Sequence, residues 1–273
     1  MSDIPIIELN NQNKIPGVGF GLWKVADESE CVQAVQWALE AGYRHFDTAQ
    51  VYGNEAYLGK ALASADVPRD ELFITTKIAI TNFGAKRTPH SFADSLQNLQ
   101  MDYVDLLLLH FPVTLLRDKA WQALEKIQSI GKAKSIGVSN YTIRHLEHLL
   151  KHTGITPVIN QVELHVFLQQ PELVDYCRNH QIVIEAYSPL AHGEGMDDPV
   201  LLSLAQKYNK SAGQIMLRWC AEQGTVPLPK SVHHERIQQN IDIFDFEFDA
   251  ADNQSLAQLD RGMRTCWDPT LVP

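Results

Sequence analysis

Eight short apolar segments recur along the chain at a near-regular interval. They are GVGF from Gly17, YRHFDT from Tyr43, LFITTKI from Leu72, VDLLLLH from Val104, AKSIGVS from Ala133, PVINQV from Pro157, IVIEAYS from Ile182 and TVPLPK from Thr225. Their starts lie 26, 29, 32, 29, 24, 25 and 43 residues apart. That is the rhythm of strands alternating with helices, far longer than the strand spacing of a sandwich. Val, Ile and Leu run nearly unbroken through them, as in parallel strands covered on both faces. The intervals carry helix signals. Asp27 with Glu30 makes a capping box before CVQAVQWALEAG, which closes at Gly42. Thr88-Pro89 and Asp198-Pro199 each set a capping side chain before a proline at the first helical position. Ser211 with Gln214 repeats the box spacing. The last interval is the longest because two helical patterns, 199–208 and 211–222, fit inside it. Eight such units predict an α/β fold, a single (β/α)8 TIM barrel over residues 1–273; an open doubly wound sheet is the competing architecture.

Charge and cysteine usage exclude several classes. The 33 acidic residues outnumber 23 basic ones, a net charge of −10, so no basic footprint for a nucleic acid exists. Cysteines 31, 177, 220 and 266 form no CxxC or other close pair, which argues against a zinc ribbon or a disulfide framework. The opening MSDIPIIELN lacks the basic and apolar regions of a secretory signal. No apolar run approaches the roughly 18 residues of a membrane span. A soluble, cytoplasmic protein is expected, and, with no heptad or apolar helix face apparent, a monomer.

Almost every strand ends in polar side chains. Asp47 and Thr48, Lys77, His110, Ser139 and Asn140, Asn160 and Gln161, Ser188, and Lys230 and Ser231 would gather at one rim. A strand meeting solvent turns polar at its end in any protein. A whole rim of Asp, Lys, His, Asn, Gln and Ser is instead what a barrel enzyme places around its chemistry.

Asp47, Tyr52, Lys77 and His110 suit protonation of a carbonyl oxygen. A buried lysine needs a counterion, and Asp47 on the adjacent strand supplies one; a structural ion pair alone would look the same. Tyr52, five residues past Asp47, lies where its hydroxyl would reach the Lys77 ammonium. A nearby cation favours phenolate, so a Tyr52 pKa below the ordinary value near 10 is expected. Such a tyrosine can give a proton near neutral pH, and His110 would aim the same oxygen. No GxSxG elbow, strand-end cysteine or HExxH run offers a nucleophile or a metal. His145, His148 and His152 share a helix face and read as a solvated flank rather than a metal site; His233-His234 reads as surface.

What attacks the carbon is either a nucleophile, which the sequence supports weakly, or a hydride, for which it offers a candidate nicotinamide cradle. Ser139, Asn140 and Gln161 suit a carboxamide, and Tyr187 offers a ring face. Lys230, Ser231 and Arg236 lead into a helix start and make an anion pocket within the acidic whole, with Gln239 and Asn240 on the next turns. GVGFG at 17–21 is not a dinucleotide loop, because GLWKVADESE follows it instead of a helix.

The stretch Gly42-Tyr43-Arg44-His45-Phe46-Asp47-Thr48-Ala49 with Tyr52, Glu55 and Gly59 resembles the aldo-keto reductase superfamily. So do Ile136-Gly137-Val138-Ser139-Asn140-Tyr141 and Leu228-Pro229-Lys230-Ser231 with Arg236 and Asn240. The likeness covers essentially the whole chain and is nearest to the compact prokaryotic branch of 2,5-diketo-gluconate and methylglyoxal reductases. It implies an NADPH-dependent carbonyl reductase. Tyr52 would be the general acid/base, Lys77 and Asp47 would set its pKa, and His110 would orient the substrate carbonyl. Ser139, Asn140 and Gln161 would hold the carboxamide, with Tyr187 stacked on the ring and Ser188 and Leu190 beside it. Lys230, Ser231, Val232, Arg236, Gln239 and Asn240 would surround the adenosine end, where positive charge favours the 2′-phosphate of NADPH. Trp23, Tyr52, His110, Phe111 and Trp267 would line the substrate site. The sequence departs from the family pattern at Leu22, where Thr is frequent, at Phe111, where Trp is frequent, and at His233 in the phosphate segment. The segment 111–118 and the tail after Asp260 are short, so an open, shallow, permissive site is expected. Two other classes remain: a cofactor-binding sensor barrel without turnover, and a hydrolase or lyase barrel.

Overall fold

The computed structural model describes residues 4–113 and 115–273. An antiparallel hairpin, β1 (Ile6–Glu8) and β2 (Lys14–Pro16), precedes eight parallel strands. These are β3 (Phe20–Gly21), β4 (His45–Asp47), β5 (Phe73–Ile78), β6 (Val104–Leu109), β7 (Ala133–Ser139), β8 (Ile159–Glu163), β9 (Val183–Tyr187) and β10 (Val226–Leu228), hydrogen-bonded in chain order. The ring closes between first and last: Gly19 N donates to Pro227 O and Gly21 N to Pro229 O, each at 3.0 Å. The glycines of GVGFG are thus seam residues. A Cβ on Gly19 would sit 2.5 Å from His45 Nδ1 and 2.5 Å from Leu228 Cδ2, so only glycine fits that side of the seam.

Helices α1 (Glu28–Glu40), α2 (Glu55–Ala63), α3 (Arg87–Leu99), α4 (Arg117–Ser129), α5 (Ile143–His152), α6 (Pro171–Asn179), α7 (Pro199–Tyr208), α8 (Ala212–Glu222), α9 (His234–Ile241) and α10 (Ala250–Ala257) surround the strands. The side chains of Asp27, Asp198 and Ser211 cap α1, α7 and α8 as their spacing predicts. Helix α3 differs. It begins at Arg87, putting Thr88 and Pro89 inside its first turn, where Thr88 Oγ1 accepts from Gly84 N and donates to Asn82 O. Thr88 therefore pins the loop before the helix rather than capping it.

Side chains alternate across each strand, and two cores result. Outward residues of the strands pack against the helices in the larger one. Inside the barrel, Phe73, Leu106, Leu108, Ile159, Val226 and Leu228 form an apolar plug, closed from the hairpin end by Leu9 and Ile15. The plug supports a buried polar layer nearer the carboxyl ends of the strands, comprising His45, Asp47, Thr75, Lys77, Gln161 and Glu185. Asn160 shows the alternation at work: its amide faces outward, exchanging hydrogen bonds with the backbone of Tyr141 rather than joining the rim.

His145 departs from its sequence reading. It is buried, sits third in α5 where its Nδ1 accepts from Thr142 N, and places Nε2 2.9 Å from Val272 O. His148 pairs with Asp118, and His152 is exposed. The three histidines do not converge; no group of three or more metal-ligating side chains occurs among the described residues. Nor is any helix among them long and apolar enough to cross a membrane.

Candidate active site

The four strand-end residues meet. Lys77 is fully buried, and its Nζ donates to Asp47 Oδ1 at 2.6 Å, to Thr48 O at 2.9 Å and to Tyr52 OH at 3.2 Å. An ammonium with three such acceptors has replaced its water, which is what a charge in a barrel interior requires. Burial opposes that charge, but the Asp47 carboxylate and Tyr52 outweigh it and hold the lysine above its ordinary pKa. His110, on the residue after β6, sets its ring edge-on to Tyr52 with centroids 5.7 Å apart. Burial, and secondarily the Lys77 charge, push its pKa down to about 3, so it is a neutral imidazole. Its Nδ1 is buried without a partner, as suits a bare nitrogen with the proton on Nε2.

Tyr52 is carried by a short 3₁₀ turn, Gln50–Tyr52, ended by Gly53 with a left-handed φ of 70°. Two amides bracket that turn. Gln50 accepts from Ala79 N and Asn82 Nδ2 and donates to Ser91 O and Ser95 Oγ. Asn54, fully buried, accepts from Thr48 Oγ1 and donates to Leu22 O and Val25 O. The phenol is thereby fixed to β4, β5 and the loop after β3. Its pKa runs against the sequence expectation. Burial raises it more than the Lys77 charge lowers it, and Asp47 adds to the rise, so it lies above the ordinary tyrosine value. Tyr52 therefore holds its proton.

A second group adjoins the first. Ser139 Oγ donates to Gln161 O, and Asn140 Nδ2 donates to Ser139 Oγ and to His110 O. Tyr187 OH donates to Asn140 Oδ1 at 2.7 Å. Asn140 adopts a left-handed φ of 65°, a conformation asparagine tolerates better than most residues and one frequent at functional turns. Ser188 and Leu190, both half-buried, follow Tyr187. The third group spans the segment after β10 and helix α9 itself. Lys230 and Arg236 are exposed, Ser231 is buried with its hydroxyl accepting from His233 N, Val232 is half-buried, Gln239 is exposed and Asn240 is buried. His233 is on the surface, as its sequence reading holds.

Aromatic rings border the first group. Phe111 stacks on His110 at 4.7 Å, and Trp267 meets Phe111 edge-on at 5.0 Å. Trp23 packs on His192 at 5.3 Å. The tail does more than its length suggests. Glu163, buried at the end of β8, accepts from Thr265 N and Thr265 Oγ1, each at 2.6 Å, and from Cys266 N at 3.3 Å, latching the tail across the rim. The open, shallow site expected from sequence is therefore walled on its Phe111 side. Residue 114, within the segment 111–118, lies outside the described residues.

Comparison with known proteins decides the family. Residues 17–195 and 196–261 match the Aldo/keto reductase family. The chain belongs to that family. The reductase is 45% identical over 273 residues to methylglyoxal reductase DkgA of Escherichia coli K12, covering 98% of each chain. It is 42% identical over 263 residues to a glyoxal reductase of Bacillus subtilis, covering 96% of this chain and 95% of the other. Among solved structures, an aldo-keto reductase of Bombyx mori in complex with NADP superposes with a TM-score of 0.92 at 37% identity, over 97% of this chain and 95% of that one.

Sequence reasoning missed part of the reductase's buried layer. Gln161 Nε2 donates to Asp47 Oδ2 and to Glu185 Oε2, both at 2.8 Å, and Glu185 Oε1 lies 3.5 Å from His45 Nε2. The lone acid inside the apolar run IVIEAYS was the available signal for Glu185. Glu163, His192 and Cys266 were missed as well. Cys266 Sγ lies 3.3 Å from His192 Nε2 and 3.4 Å from Ser188 Oγ.

Proposed function

We propose that the chain reduces aldehydes and ketones with NADPH, Tyr52 giving the proton and Lys77, Asp47 and His110 preparing it. The observation that carries this reading is the contact of the fully buried Lys77 ammonium with both Asp47 Oδ1 and the half-buried Tyr52 OH. NADPH, when bound, supplies the hydride that adds to the carbonyl carbon.

The donor set suits that cofactor. The two N–H bonds of Gln161 are taken by carboxyl oxygens, which leaves its amide oxygen for the N–H of a carboxamide. Asn140 Oδ1 accepts from Tyr187 and retains a second lone pair. Ser139, Asn140 and Gln161 would hold the carboxamide and Tyr187 the ring, with Ser188 and Leu190 alongside. Lys230, Ser231, Val232, Arg236, Gln239 and Asn240 would take the adenosine end, the two cations favouring the 2′-phosphate.

The chain's part in the reaction follows from the same geometry. Neutral His110, with its proton on Nε2, donates to the carbonyl oxygen and aims it at Tyr52. As negative charge develops on that oxygen, Tyr52 passes it a proton. The phenolate left behind lies 3.2 Å from the Lys77 ammonium, so the stabilising charge is already in place when it is needed. Asp47 fixes that ammonium without competing for the Tyr52 proton. Trp23, Phe111 and Trp267 exclude water and favour a small or flat carbonyl compound. Two related proteins are named for methylglyoxal and glyoxal, so short dicarbonyls are the first substrates to try.

The experiment is a titration of NADPH fluorescence with the protein, followed by a panel of aldehydes and ketones. Binding with turnover supports the reading. Binding without turnover on any carbonyl points to a sensor, and no binding defeats the cofactor assignment.

A further inference from the structure

The polar chain below the proton donor does not stop at Asp47. It continues through the Gln161 amide to Glu185 and on to His45, whose Nε2 also lies 3.2 Å from Thr75 Oγ1. Glu185 on β9 and His45 on β4 are fully buried and meet across the barrel interior, and neither belongs to the groups assigned so far. Two of their atoms, Glu185 Oε1 and His45 Nδ1, have no hydrogen-bond partner. A second carboxyl so near Asp47 calls for an account, because Lys77 is one cation facing two acids.

We propose that Glu185 is a positioning residue for the carbonyl reduction: it orients the Gln161 amide toward the cofactor site and couples the charge of the barrel interior to the contact between Lys77 and Tyr52. This rests on the reaction assigned above. The orientation argument is geometric. An amide NH2 held by two acceptors cannot flip without placing its oxygen against both. Glu185 and Asp47 thus determine that Gln161 shows an acceptor, not a donor, to an incoming carboxamide. Remove the Glu185 carboxyl and one N–H loses its partner in a buried setting.

His45 and Asp47 from β4, Lys77 from β5 and Gln161 from β8 act on Glu185, while the adjoining β10 offers apolar Val226 and Leu228. Glu185 and His45 lie within ion-pair distance yet are both neutral. Burial first, and Asp47 second, push the Glu185 pKa up to about 8, and burial first, then Lys77, push His45 down to about 3. A protonated Glu185 keeps Oε2 as an acceptor for the Gln161 amide, so its neutral form leaves that hydrogen bond in place. The interior then holds one cation and one anion. Ionising Glu185 at higher pH adds a second anion, which opposes phenolate formation at Tyr52 and so slows reduction.

The test uses the full chain with E185Q and E185L. Neither variant can ionise at this position; E185Q keeps an oxygen for Gln161, and E185L does not. The expected result is that E185L weakens NADPH binding, read by fluorescence without substrate, by about tenfold, and that E185Q recovers most of that loss. The wild type should lose turnover on a short aldehyde with a midpoint near pH 8, and E185Q should lack that alkaline limb. Equal weakening in both variants, or no weakening in either, overturns the orienting role. An unchanged alkaline limb in E185Q overturns the charge coupling, whether or not E185L folds. If the wild type turns over no carbonyl with NADPH, the reaction assignment fails and takes this inference with it; turnover with an unaltered E185Q profile sinks this inference alone.

Discussion

The Lys77 ammonium lies 3.2 Å from the Tyr52 hydroxyl and 4.8 Å from the centre of its ring. It is the cation that offsets the burial of that phenol. Lys77→Met should therefore raise the Tyr52 pKa further and leave Asp47 as an uncompensated buried charge. A loss of about 3–5 kcal/mol in unfolding free energy is expected, as for other broken buried pairs. Urea denaturation measures it. Reduction should fall with it, and a Lys77→Met enzyme as stable and as active as the parent would remove the pair from both roles.

Acid should destabilise the protein through its neutral histidines. His45 and His110 are held near pKa 3 by burial and, secondarily, by Lys77, against an ordinary 6.5. Between those values the unfolded chain binds two protons on these histidines that the folded one does not, which lowers stability as pH drops, against the one proton that Glu185 holds only in the folded state. Each contributes a loss of about 2 kcal/mol by roughly pH 5. His110→Gln should remove its own share, about half of what the two histidines contribute, from urea midpoints taken between pH 7 and 5. A slope unchanged by the substitution would mean that His110 is charged in the folded protein.

Lys230→Met should raise the KM for NADPH by about tenfold or more, the worth of one charge-assisted phosphate contact. The KM for NADH should move much less. Steady-state kinetics with both cofactors reads the ratio, and equal effects on the two would remove Lys230 from the 2′-phosphate.

Trp267→Ala should open the Phe111 side of the site without touching the cofactor cradle. The ring lies 5.0 Å from Phe111 and is held there by a tail latched to Glu163. The expectation is a KM for aromatic aldehydes higher by roughly fivefold, from lost aromatic contact, with NADPH affinity unchanged. Comparing KM and the fluorescence-derived Kd separates the two; a change in both would mean the tail supports the cradle instead.

The strands and the rim residues were legible because both are local signals. Asp47, Lys77 and His110 stand out where apolar runs end, and Asp198-Pro199 and Ser211 mark helix starts by short-range hydrogen bonds alone. Thr88 misled because its hydroxyl has two uses, and the loop before α3 competed successfully with the helix end. Glu185 shows in sequence only as a lone acid in an apolar run, and its partners and those of Glu163 come from other strands and from the tail, more than 20 and 100 residues away in the chain. The Tyr52 pKa was read with the wrong sign for a related reason. Sequence exposes the charge beside a group but not how deeply the group lies, and here depth outweighs charge. The hairpin β1–β2, which plugs the amino end of the barrel, is too short to give a periodic signal.

The central claim is that the Tyr52 hydroxyl delivers the proton, and Tyr52→Phe tests it with the loss of one oxygen atom. NADPH binding by fluorescence should stay close to that of the parent, while kcat for a short aldehyde should drop by about 10²–10⁴, the usual worth of a positioned acid. Near-parental turnover by Tyr52→Phe would contradict the account.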